Sequence, residues 1–142
     1  MWADTLLVAE RAHLLRLVAW GAVSVLVGTA LFAMLRVRGQ RSTLLELFAL
    51  MTASWGVVDL AIALWGMRSL ALRDLTGATR LDRLLWLNVG LDAGYVMVGV
   101  TLAIAGWRLA RRGAMIGAGV AVTVQGMALL LLDLLLANQI SR

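Results

Sequence analysis

The chain has 142 residues, of which 62% are hydrophobic and only 15% charged, with a mean hydropathy of +0.90. A soluble domain would carry nearly twice that charge and could not hide so much apolar surface, so composition excludes an ordinary water-soluble protein. The absence of cysteine excludes disulfides, thiol nucleophiles and cysteine metal sites, and a net charge of +5 on so apolar a chain reads as loop arginine, with no nucleic-acid partner implied.

Taken in chain order, four runs are long enough to cross a membrane. Residues 17–35 carry no charge, whereas 47–67, 84–107 and 113–141 carry one each, namely Asp59, Asp92 and Asp133. Each reaches the ~20 apolar residues that a helix needs to span a ~30 Å hydrocarbon core. The expectation is an all-α fold, a bundle of four transmembrane helices forming one integral membrane domain over 1–142. The helices fall at about 14–36, 44–67, 80–108 and 114–138, and the lipid bilayer is the first partner implied.

Local signals place the ends. Thr43-Leu-Leu-Glu46 and Thr79-Arg-Leu-Asp82 both fit a capping box, which predicts helix starts there. Gly39 and Gly113 suit turns after the first and third helices, and Gly77 suits a break in a 68–83 connection that mixes arginine with leucine. The first dozen residues read as a short interfacial helix. Trp20, Trp65 and Trp86 each lie three or four residues inside an arginine, and Trp107 adjoins Arg108, which is the pattern of an aromatic belt. Trp55 falls in mid-helix, where packing or a partner interface explains it better than anchoring.

Arginine counts leave the orientation open. The 1–2 and 3–4 loops hold six of the 13, and the termini with the 2–3 connection hold seven. A shift of 71 residues superposes Gly28 on Gly99, Arg41 on Arg112 and Thr52 on Thr123, which predicts that the halves are repeated helical hairpins. Gly90 and Gly94, like Gly113 and Gly117, have the G-x-x-x-G spacing of closely packed membrane helices. With the polar residues around Gly90, this points to the third helix as the centre of the bundle.

The intramembrane acids are the most informative feature. Asp59 lies nine residues before Arg68, Asp92 nine after Arg83, and Asp133 nine before Arg142. At 1.5 Å per residue all three sit ~13 Å from arginines on one side, and so share a depth on three helices. An aspartate near a helix centre costs roughly 2.5–3.5 kcal/mol on insertion scales, so the three should face the bundle interior or a subunit interface. Asn88, Asp92, Tyr95 and Gly99 are spaced to line one face of the third helix. Helix four contributes Gln125 as well as Asp133. Helix one has no acid, and its candidates are Ser24 and, at the shore, His13 and Arg16, the latter as a counter-ion able to snorkel inward.

Two chemistries fit this cluster. Acids and amides can be interhelical glue, worth about 0.6–2 kcal/mol each in lipid, or crowded carboxylates can form a proton or cation site. A lone histidine cannot form the paired ligands of haem or zinc, no catalytic motif is present, and no metal or other cofactor is expected. The expected function is non-enzymatic. It is binding or transport of a proton, cation or small cationic molecule by Asp59, Asn88, Asp92, Tyr95 and Asp133, with Arg16 as counter-ion. The alternative is an accessory subunit of a larger membrane complex. Homo-oligomerisation is expected, because one bundle lacks a continuous polar path across the bilayer.

Size and helix count are similar to small multidrug-resistance transporters, but the glutamate that marks their first helix has no counterpart here. The runs from Trp86 to Tyr95 and from Trp55 to Asp59 resemble an uncharacterised bacterial family of small four-helix membrane proteins. That resemblance implies a multi-pass protein of the bacterial inner membrane and no particular activity.

Overall fold

The computed structural model describes residues 2–109 and 112–140, so Arg111 and Arg142, which enter the arginine counts, lie outside the described residues. Four α-helices follow one another: α1 (Trp2–Val37), α2 (Thr43–Arg68), α3 (Leu75–Arg108) and α4 (Gly113–Ile140). All four are long and apolar enough to cross a membrane.

Helix ends depart from expectation where a better cap lies upstream. Ser42, one residue before the expected cap, accepts the Leu45 N–H of α2 at 3.4 Å. Asp74 caps α3, accepting from the Gly77 N–H at 2.7 Å, so Gly77 lies inside the first turn and breaks nothing. The carboxylate stabilises the exposed amides of that turn, and α3 begins at Leu75, ahead of the Thr79 box. Nor is the amino terminus a separate interfacial helix. It continues into α1, whose 36 residues run ~54 Å and exceed the hydrocarbon thickness.

Gly39 does end α1. Its φ of +63° favours glycine, and the Gln40 and Gly39 N–H groups donate back to Leu35 and Arg36 carbonyls at 3.0 and 3.2 Å. Gly113 instead opens α4.

The two hairpins repeat, with one adjustment. Buried positions recur every seven residues, at Leu14, Gly21, Gly28 and Leu35 in α1 and at Leu85, Asp92, Gly99 and Gly106 in α3. In α2 they include Ala49, Gly56 and Ala63, and in α4 Gly119, Gly126 and Asp133. The first helices correspond by 71 positions (28 to 99) and the second by 70 (49 to 119). The α3–α4 connection, 109–112, is one residue shorter than the α1–α2 connection, 38–42. Thr123 therefore packs as Ala53 does, and the Thr52 match is a coincidence of the shift. A heptad seam of small residues suits helices wound at a shallow crossing angle.

The centre of the bundle is α4, not α3. α4 approaches the backbone of all three other helices, α1 that of α2 and α4, and α3, among the described residues, that of α4 alone. The two glycine pairs divide accordingly. A Cβ on Gly117 would strike the Leu44 carbonyl of α2, whereas one on Gly90 or Gly94 would have nothing from another helix within 4 Å, so their spacing marks no contact among the described residues.

Candidate functional site

The hairpins do not close symmetrically. α1 reaches α4, but its counterpart α3 makes no backbone approach to α2 among the described residues. The space left between them is a groove of about 440 Å³, walled by α1, α2 and α3 and floored by α4. The ring of Trp55 on α2 meets Tyr95 of α3 across it, edge-on with centroids 5.4 Å apart. Trp55 is thus a packing residue, as its mid-helix place implied.

Asp59, Asn88, Asp92, Tyr95 and Asp133 all border this groove. Asp59 and Asp133 lie in the C-terminal halves of α2 and α4, Asn88 in the N-terminal half of α3, and Asp92 and Tyr95 just past the midpoint of α3. Their exposures differ. Asp59 is 1% exposed, Asp92 5% and Asp133 7%, whereas Asn88 lies open at the rim and Tyr95 is 38% exposed. Asp92 lies within electrostatic reach of both other carboxylates.

Each acid has different company. The Gln125 amide nitrogen donates a hydrogen bond to Asp59 Oδ2, and the Gln125 carbonyl oxygen accepts from the Trp20 indole N–H at 3.1 Å. This chain joins α2, α4 and α1. Trp20 is therefore part of the polar network and not merely a belt residue. Asp133 Oδ1 faces His13 Nε2 at 3.4 Å. Asp92 Oδ2 is buried without a hydrogen-bond partner, a costly state that calls for a ligand, a proton or water.

Arg16 does not serve the cluster. It is exposed, lies off the groove and pairs with none of the three aspartates. The α1 face that turns inward carries His13 instead, one turn earlier, and beyond it Glu10. Glu10 is held by Arg73 from the α2–α3 connection through two hydrogen bonds, 2.9 Å from Nε and 2.5 Å from a terminal nitrogen. That contact holds the Arg73 guanidinium above the usual arginine range. Glu10 and Gln125 carry more of the site than their spacing revealed. The clue was available for Gln125, the one amide within the apolar stretch of α4 before Asp133.

Among the described residues, no three histidine or carboxylate side chains converge closely enough to hold a metal ion. What the groove can do is hold positive charge. Its lining brings together Glu10, Asp59, Asp92 and Asp133, with His13 as the one basic side chain.

No curated protein and no solved structure matches the chain. A family model described as a family of unknown function, DUF6992, matches residues 16–134, which take in most of all four helices and every acid of the groove except Glu10. The chain belongs to that family.

Proposed function

We propose that this chain is a non-enzymatic, multi-pass protein of the bacterial inner membrane that binds, and as a homo-oligomer passes, a proton or a cation at the carboxylate groove. Asp92 is the principal binding group. The observation that carries this reading is its buried, unpartnered Oδ2 on the wall of an open groove. Intramembrane acids are costly, and one left without an internal partner is better suited to a mobile positive charge than to packing.

The test uses protein in nanodiscs, with tryptophan emission followed as pH and monovalent cation are varied. Trp55 borders the groove and reports its state. The expected result is a saturable change in the wild type that Asp92→Asn abolishes and the surface variant Asp74→Asn keeps. An unchanged response in Asp92→Asn sinks the proposal.

A second reading is favoured by the Trp20–Gln125–Asp59 chain. Asp59 there acts as a clasp between helices, as an accessory subunit of a larger complex would need. Cross-linking and native mass spectrometry from the source membrane would reveal a stable heterologous partner.

A further inference from the structure

Building on the cation-site reading, we propose that the groove takes an amphipathic organic cation, a single positive centre on an apolar body, which enters sideways between α2 and α3. The charge centre sits at Asp92, and the apolar body lies against Val58, Ile62, Leu84 and Leu91 beside the Trp55 ring.

Four observations converge on this class. The acids are dispersed instead of clustered as metal ligands, and two of the three already have polar company, Asp59 with Gln125 and Asp133 with His13. One free, buried carboxylate oxygen suits one positive charge. The volume, about 440 Å³, lies in the range of small-molecule sites and far exceeds what a proton or bare ion occupies. Its walls are largely aliphatic, with two aromatic rings able to attract a cation through their π faces.

The way in is lateral. At the shoreward end Glu10 borders the groove and is strapped by Arg73, and Leu85, Leu136 and Ala137 pack together beside Ala9 and Ile140. Among the described residues no backbones of α2 and α3 meet, and Leu84, Asn88 and Leu91 lie exposed along the rim. A ligand partitioned into the hydrocarbon phase reaches Asp92 without crossing the strap, which selects for amphipathic cations over hydrated ones.

The experiment measures binding of tetraphenylphosphonium and of tetraphenylborate, similar in shape and opposite in charge, to protein in zwitterionic nanodiscs by equilibrium dialysis. Expected are saturable phosphonium binding at about one per chain, weakened at least tenfold by Asp92→Asn, and no protein-dependent borate binding. Asn88→Trp, placed on the exposed rim where it does not disturb packing, should also weaken binding by narrowing the entry. Phosphonium binding that survives Asp92→Asn and Asn88→Trp, or borate binding of equal strength, overturns the proposal. If phosphonium does not bind while the Asp92-dependent pH or cation response persists, the organic class is wrong and the cation site stands. Loss of both in the folded wild type removes both readings.

Discussion

Gly28 of α1 and Gly99 of α3 occupy equivalent places in their hairpins. Each brings its helix against backbone of the next at positions 70 apart, Ala49 and Ala53 for Gly28, Gly119 and Thr123 for Gly99. A Cβ on Gly28 would stand 2.6 Å from the Ala49 carbonyl and the Ala53 nitrogen, and one on Gly99 would stand 2.6 Å from the Thr123 nitrogen. Neither obstacle is a movable side-chain tip. Gly28→Val and Gly99→Val should each cost about 1–3 kcal/mol by forcing the helices apart. Gly90→Ala and Gly94→Ala meet nothing within the chain and should be neutral or slightly stabilising. Thermal unfolding in detergent orders the four. If the second pair proves as damaging as the first, that face of α3 is buried against another copy.

Gln125 uses both ends of its amide, so Gln125→Leu strands the Trp20 N–H and the Asp59 carboxylate together. A loss of about 2 kcal/mol is expected, between the modest worth of membrane hydrogen bonds and the larger cost of an orphaned buried group. Replacing Asp59 as well, by leucine, should recover part of it, because the carboxylate is no longer stranded and only the Trp20 N–H stays without its acceptor. Failure of the double variant to recover would show that Asp59 is held by something other than the amide.

The Glu10–Arg73 strap should respond to mutation and scarcely to alkali. Glu10 raises the Arg73 pKa in the folded state, so the stability this contributes is fully present below the unfolded value. It is lost only as pH rises through the higher folded value, beyond ordinary buffers. The side chains are 28% and 10% exposed, and the pair should be worth about 1 kcal/mol. Arg73→Gln should therefore lower the melting temperature by an amount that stays constant from about pH 7 to 10. A difference that shrinks over this window would assign the loss to some other group.

Among the described residues, Trp55 and Tyr95 form the one ring contact across the open side of the groove. Trp55→Ala removes an edge-on pair worth about 0.5–1.5 kcal/mol and should let α2 and α3 separate. Spin labels at the exposed sites Leu64 and Leu87 would register a longer or broader distance distribution. An unchanged distribution would place the control of groove width in the α4 contacts.

Much of the architecture was legible before any tertiary information. Hydropathy located the four apolar helices, and the cost of a charge in an apolar helix anticipated that the three aspartates turn inward, because both are local properties of the chain. The repeat was legible only in part. Equal numbers of residues were assumed throughout, and a connection one residue shorter moves the register of the second helices.

What the sequence determined by itself was therefore how far along each helix a residue sits. Which residues meet was decided by the tertiary structure. Two identical glycine spacings gave opposite outcomes, since Gly117 lies against Leu44 and Gly90 faces open space. The basic group opposite an acid proved to be His13 and not Arg16: three residues leave an offset of about 60° around the helix, enough to set Arg16 exposed beside the groove while His13 faces Asp133. The groove itself arises from α1 reaching α4 while α3 stays away from α2, a difference between near-equivalent hairpins. Such docking depends on the fit of many surfaces at once, and spacing within any single helix cannot encode it.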